Sequence, residues 1–445
     1  GVLGIKQTQG ETAMHIMGFT ERSYYHVPED EIIKNASYFG IPNTHFDPVK
    51  GSELFNTYFD EALYMEEMGF DGVMLNEHHG TPFCMGSPMN VEAAVLARIT
   101  QRLKIVLLGN PLPAADPLRL AEELAMIDMI SGGRLVPGFV RGAGSESLFN
   151  NANPAYNREL FNEAHDFLIK AWTTPGPFRY EGKHYHYRFV NPWVLPIQKP
   201  HPPIWIPGLV SPETVVWCAR HRYPYLALAT FLEPTLEMVK LYANTAAQEG
   251  YQFGPENFGY LQRIVVAETE EKAQELGKGF MYGGGINAFA RPEWMFPPGY
   301  NSKAATQRLA RVSMDPNSGE EMITFTPSES QADIDETRAK IYGRYQTEQD
   351  NLQLIVGTPE SIIPKIRHIL ETVRPGIFAL WHSHGPISHE DRMTSIRLLG
   401  EEIIPAMRAI SDELGLPGPY EREPGSRPLP TSGVREPVAG ELVVS

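Results

Sequence analysis

ELFNTYFDEALYMEEMGFDGVMLN, residues 53–76, carries two different periods side by side. Through residue 68 the apolar positions recur every three to four residues, and Gly69 then offers the positive φ that ends a helix. From Phe70 the pattern changes to a short apolar run, FDGVMLN (70–76), with no polar alternation. A strand buried on both faces reads that way, and such strands belong to parallel sheets covered by helices.

The same unit repeats in both directions. Further apolar runs are MHIMGFT (14–20), LKIVLLGN (103–110), GRLVPGFV (133–140), PPIWIPG (202–208), PYLALAT (224–230), FGYLQRIVVAE (258–268) and GIFALWH (376–382). Helical patterns fall at 91–101, where Asn90 is the expected N-cap, and at 117–130, 156–172, 212–221, 235–248, 359–373 and 390–410. Eight strands alternating with eight helices predict an α/β fold, a (β/α)8 TIM barrel, with an open doubly wound sheet as the competitor. One barrel domain is expected over 1–411, followed by an irregular tail at 412–445 rich in Pro, Gly and charge. Three stretches interrupt the rhythm. Residues 21–50 hold several aromatics. Residues 174–201 contain FRYEGKHYHYRF, which predicts a hairpin turning at Gly182. Residues 280–350, after the seventh strand, are long enough to be a lid, with Gly283, Gly284 and Gly285 as hinges and Phe289, Trp294, Phe296 and Tyr300 as an apolar cap.

Composition narrows the function classes. The 445 residues carry 38 basic and 54 acidic side chains, a formal charge of −16. That balance argues against nucleic acid or an anionic membrane as the main partner. Only Cys84 and Cys218 are present, so disulfides are not the stabilising device and a reducing, cytoplasmic setting is expected. The first residues lack the apolar core of a signal peptide, and no apolar run approaches the roughly 18–20 residues needed to span a bilayer.

In barrels of this kind the active site lies where strands end at their C-termini. Those ends hold Asn76, Glu77, His78 and His79, then Gly109 and Asn110, then Arg141 and Gly142, then Ser211 and Thr214, and finally His382, Ser383 and His384. Polar residues gathered at one rim point to a site. A carboxylate such as Glu77 beside a histidine can fix its tautomer and prepare it for proton transfer. An arginine at the head of RGAG (141–144) suits a phosphate, because guanidinium and backbone N–H groups converge there. Ser211, at the start of SPET, reads as a helix N-cap, and a helix start is also a phosphate site. The plain alternatives are a structural histidine pair, a salt bridge and a simple cap. Three histidine pairs (78/79, 184/186 and 382/384) raise a metal-dependent hydrolase, but no aspartate follows the last strand to complete its ligands and no metal site is assigned.

The string MGFDGVMLNEHHG (68–80) resembles a motif of the bacterial luciferase-like flavin-dependent monooxygenases. PMNVEAAVLARITQRLKIVLLGN (88–110), DPLRLAEELAMIDMISGGRLVPGFVRG (116–142), PPIWIPGLVSPETVVWCA (202–219) and VGTPESIIPKIRHIL (356–370) are similar to further family segments, in order. The resemblance spans roughly 14–280 and 352–410. It implies reduced FMN as cofactor, dioxygen as co-substrate, and oxygenation of a small, apolar organic substrate through a flavin C4a-hydroperoxide. It implies a separate flavin reductase as partner, since no GxGxxG follows a strand to build an internal nicotinamide site. His78 would be the catalytic histidine, with Glu77 and His79 beside it. Arg141, Arg158 (in YNRELF, 156–161), Ser211 and Thr214 would hold the flavin phosphate. Gly109 and Asn110 would line the isoalloxazine, with a non-prolyl cis peptide near Leu108-Gly109. Val140 stands where luciferase has a reactive cysteine, so light emission from an aldehyde is not expected. A deazaflavin (F420)-dependent oxidoreductase of the same fold, a non-catalytic flavin-binding subunit and the hydrolase are the alternatives. A homodimer through 91–101 and 117–130 is expected from their surplus apolar residues.

Overall fold

In the computed structural model, residues 13–142, 144–209, 211–228, 231–288, 294 and 327–419 are described. The chain opens with β1 (His15–Phe19), α1 (Glu29–Asn35), α2 (Pro48–Glu67), β2 (Gly72–Leu75), α3 (Met89–Ile99) and β3 (Lys104–Leu107). Then come β4 (Asn110–Pro111), α4 (Pro117–Ser131), β5 (Leu135–Val136), β6 (Phe139–Val140), α5 (Gly144–Phe149) and α6 (Asn157–Thr173). A hairpin of β7 (Phe178–Glu181) and β8 (His186–Val190) leads to β9 (Ile206–Gly208), α7 (Pro212–His221), β10 (Tyr225–Ala227), α8 (Leu232–Gln248) and β11 (Phe258–Val266). The last third holds α9 (Glu270–Gly277), α10 (Gln331–Gly343), α11 (Tyr345–Asp350), β12 (Leu354–Gly357), α12 (Pro359–Val373), β13 (Ile377–Trp381), α13 (His389–Leu398) and α14 (Ile404–Leu414).

All ladders of the main sheet are parallel, in the order β5-β3-β2-β1-β13-β11-β10-β9. A parallel bridge between Gly138 and Trp205 joins the two ends, and the sheet becomes a (β/α)8 barrel. Gly138 is what permits that approach: a Cβ there would sit 2.2 Å from the Leu107 carbonyl oxygen and 2.6 Å from that of Trp205. Alternate strand residues enter two separate apolar clusters, as the two-residue period of a strand requires. Met17, Met74, Val106, Leu226, Leu261 and Ala379 belong to one, which fills the barrel. Ile16, Val73, Ile105, Ile206, Phe378 and Leu380 belong to the other, with Ala93, Leu124 and Ile366 of the surrounding helices.

The eight expected barrel strands are all present. Four details differ. Asn90 does not cap α3; Pro88 holds the N-cap position, and the Asn90 side chain turns to Glu123 and Asn110. Residues 354–357 form a strand that pairs with the outer end of β11 and was not expected. The stretch 280–350 is not loop throughout, since α10 and α11 lie in it. The tail contributes to the core before position 420: Leu416 is buried, and the Pro419 carbonyl bonds the His15 ring at 2.7 Å. The hairpin at Gly182 is as expected. Gly283, Gly284 and Gly285 have φ of 60°, 104° and 57°. Trp294 packs edge-on to Phe39, with centroids 5.1 Å apart. Phe289, Phe296 and Tyr300 lie outside the described residues.

Candidate active site

The chain leaves β2 at Leu75 and brings Asn76, Glu77, His78 and His79 to the rim. Glu77 does not serve His78. Its Oε1 pairs with Nε2 of His79 at 2.9 Å, and its Oε2 accepts from the backbone N–H of Met89 at 3.1 Å. His78 is held instead by Glu146 of α5. Its Nδ1 donates to Glu146 Oε1 at 3.0 Å, while Glu146 Oε2 accepts from the His79 N–H at 3.3 Å. A carboxylate only accepts, so the proton sits on Nδ1 and Nε2 keeps its lone pair in the neutral ring. On that side Glu21 Oε2 stands 4.0 Å away. Burial works against charging the His78 ring, but the hydrogen bond and charge of Glu146, with Glu21 behind, outweigh it and raise the pKa above its ordinary value. The Glu77 hydrogen bond raises that of His79 as well.

Beneath them lies a buried polar layer. Arg22 Nε pairs with Glu92 Oε2 at 2.7 Å, and its Nη atoms donate to the side chain and carbonyl of Asn76 at 3.1 and 2.7 Å. Asn76 in turn donates to Glu21. Glu21, Arg22 and Glu146 lie far from His78 in the chain, and no local pattern announces them.

At the end of β3 the Leu108–Gly109 peptide is cis, at the place the resemblance implied. A Cβ on Gly109 would lie 2.7 Å from the Gly138 carbonyl, so only glycine lets these two strand ends meet. Asn110 is buried. Its amide donates to Asn90 at 3.0 Å, and its Oδ1 has no hydrogen-bond partner among the described residues. Ser145 Oγ and Asn157 Oδ1 are likewise buried without partners among the described residues, and Asn157 Nδ2 donates to the Arg141 carbonyl at 2.9 Å. Neither Ser145 nor Asn157 stood out in the sequence. An unsatisfied buried polar atom costs about 1–3 kcal/mol, which a ligand group bonded to it would offset.

At the start of α7, Arg158 Nη2 lies 3.4 Å from Thr214 Oγ1 in the first turn of the helix. Ser211 occupies the N-cap position, but its hydroxyl turns to Glu213 Oε2 at 3.1 Å and caps no backbone N–H. The helix start therefore lacks the side-chain oxygen the cap reading supplied.

Among the described residues, the three histidine pairs build no three-ligand cluster. His184 bonds Glu159 at 2.9 Å beside the hairpin turn. His382 and His384 are buried, with both ring nitrogens of each lacking partners among the described residues. Burial drives the pKa of each down to about 3, with Arg392 and Arg263 adding to the effect. Among the described residues, one cluster could hold a metal, His165, Asp166 and His221, well away in sequence from these pairs.

The parallel barrel thus carries a carboxylate-clamped histidine at one strand end and Arg158 beside the start of α7. The profile of the luciferase-like monooxygenases matches residues 41–374, and the chain belongs to that family. It is 31% identical over 254 residues to an uncharacterised protein, y4wF, of Sinorhizobium fredii, covering 55% of this chain and 72% of that one. It is 27% identical over 220 residues to the alkanal monooxygenase alpha chain of Photorhabdus luminescens, covering 48% of this chain and 60% of that one. The fold matches that of the monooxygenase RslO1 from Streptomyces bottropensis with a TM-score of 0.61 and 21% identity, over 88% of this chain and 99% of the other. Among the described residues no helix is long and apolar enough to cross a membrane.

Proposed function

We propose that the chain is a flavin-dependent monooxygenase that takes reduced FMN from a separate reductase and uses dioxygen to oxygenate a small, apolar organic molecule. The observation that carries the reading is the meeting of Arg158 with Thr214 at the uncapped start of α7, on a family barrel whose other strand ends present His78 and Asn110. The residues fit the cofactor. Arg141, Arg158, Ser211 and Thr214, gathered toward the positive end of the α7 dipole, would hold its phosphate. The unpartnered Oδ1 of Asn110 offers an acceptor to a ring N–H, and Gly109 keeps the backbone close. When bound, the reduced flavin supplies two electrons to dioxygen.

The protein's own part is to bind, orient and manage protons. His78, fixed through Nδ1 by Glu146, presents Nε2 as a base or acid. His79 and Glu77 form a second pair that sets the end of the loop. The barrel is proposed as one domain through 411, and the enzyme as a homodimer. Oxygen uptake with chemically reduced FMN tests the reading, with the His78→Ala variant alongside. Wild type should consume oxygen and transfer it to a product; the variant should bind FMN yet turn over about 100-fold more slowly, the usual contribution of one general acid–base group. If a reduced deazaflavin is oxidised with no oxygen consumed, the monooxygenase reading fails.

A further inference from the structure

The carboxyls around the end of β2 do not play equal parts. Glu77 is engaged by His79 and by the Met89 N–H. Glu92 is paired with Arg22. Glu146 holds the proton of His78 Nδ1. Glu21 differs from all three. It is buried at 6% exposure, and its ion-pair partner among the described residues is His78 itself, at 4.0 Å. Asn76 donates a neutral hydrogen bond to it. The nearby Arg22 is committed to Glu92 and to both oxygens of Asn76.

We propose that Glu21 is a second proton-carrying group of the site, exchanging one proton with Nε2 of His78. The inference rests on the reading of His78 given above. Its chemistry balances without another reagent. The Glu21 O–H bond breaks and the His78 Nε2–H bond forms; a neutral carboxyl and a neutral imidazole become a carboxylate and an imidazolium, and the return step reverses this. The 4.0 Å gap is too long for a hydrogen bond and needs closure by about 1 Å or one bridging water. The imidazolium so formed would lie between two carboxylates, Glu146 on Nδ1 and Glu21 on Nε2, which stabilises it in a poorly solvated place. Burial favours the neutral carboxyl of Glu21, and the charge of His78, the Asn76 hydrogen bond and Arg22 pull the other way. The titratable and charged groups around the pair are Glu146 of α5, Arg22, Glu92 and the buried Cys84 thiol beneath, and Glu77 and His79 of the same loop. The arrangement gives a site that must be short of water its own proton store.

The test uses the cofactor-free full chain and nuclear magnetic resonance, so no substrate is needed. The ring nitrogens of His78 and the carboxyl carbon of Glu21 are followed from pH 4 to 9. Exchange predicts that both signals move through the same two steps, as strongly coupled groups do. In Glu21→Gln, His78 should titrate in a single step, lower by about one pKa unit or more, as expected when a charge within 4–6 Å is removed. The idea is overturned if the Glu21 carboxyl titrates in one step near its ordinary value of about 4.3 and the His78 curve is the same in the variant. Should Glu21→Gln fail to fold, the wild-type carboxyl signal, assigned through its contact with the Asn76 amide, decides alone. FMN titration of the same samples separates the two readings. Uncoupled titration with intact FMN binding removes the role of Glu21 only; absent FMN binding removes the flavoenzyme reading.

Discussion

Arg158→Ala separates the proposed phosphate recognition from everything else the barrel does. The Arg158 guanidinium reaches to 3.4 Å from Thr214 Oγ1 across the gap between α6 and α7, and the residue is only partly buried, so truncation leaves no large cavity. What it removes is a positive charge directed at the start of a helix. A charge-assisted hydrogen bond contributes about 1.5–3 kcal/mol, which corresponds to roughly 10–150-fold in a dissociation constant. FMN titration by fluorescence quenching should show a loss of that size. Riboflavin, which shares the ring and lacks the phosphate, should bind wild type and variant within about 2-fold, since the term removed acts only on the phosphate. Circular dichroism and thermal melting provide the control for folding. An FMN affinity changed by less than about 3-fold would refute the cradle, and so would a riboflavin affinity that falls in parallel.

Stability should fall in acid for a stated reason. His382 and His384 have folded pKa values near 3 against about 6.5 for the exposed side chain, so below pH 6.5 the unfolded chain binds more protons. Each group then removes up to about 1.4 kcal/mol per pH unit, and urea unfolding at pH 7 and pH 5 should show the drop; a His384→Phe variant should flatten it, and an unchanged slope would contradict the account. Gly138→Ala should destabilise the barrel sharply, since the nearest atoms are backbone oxygens at 2.2 and 2.6 Å, and a melting temperature within 2 °C of wild type would show that the strands can separate there at little cost. Val91 and Val95 of α3 and Met126, Met129 and Ile130 of α4 form an exposed apolar face, so Val91→Asp with Met126→Asp should turn the proposed dimer into a monomer in solution scattering. A wild type that is already monomeric at micromolar concentration would end that proposal.

The barrel was legible because its strands are apolar throughout and its helices are not. FDGVMLN and LKIVLLGN have no polar face to confuse the count, and the period change at Gly69 marks the boundary. The apolar surplus on the two helices divides between core and surface: Leu120, Leu124 and Ile127 face the core, while Val91, Val95 and Met129, with Met126 and Ile130, are exposed. The site was legible only where it follows a strand. His78, Asn110 and Arg141 could be read off strand ends, whereas Glu146, which holds His78, sits 68 residues further along and looks like any helix residue. Glu77 illustrates the limit of adjacency. Neighbours in sequence point apart at a loop, so the carboxylate beside His78 serves His79 instead. Ser211 shows that holding a cap position does not oblige a side chain to cap when Glu213 competes for its hydroxyl.

The meeting of Gly138 with Trp205 gives the barrel a seam. Every other neighbouring pair of barrel strands is tied by a ladder of at least two residue pairs, and here a single bridge closes the wall, its bond from the Trp205 N–H to the Pro137 carbonyl 3.2 Å long. A cylinder slit along one side flexes at the slit. Amide hydrogens of β1, β2 and β13 should exchange at the pace of global unfolding, and that of Trp205 much faster, through local opening. Gly109, packed against Gly138, and the Arg141 loop both flank this seam, so the compliance expected there falls on the proposed cofactor side. A planar ring entering the mouth would then be admitted by breathing at the seam and clasped when it closes.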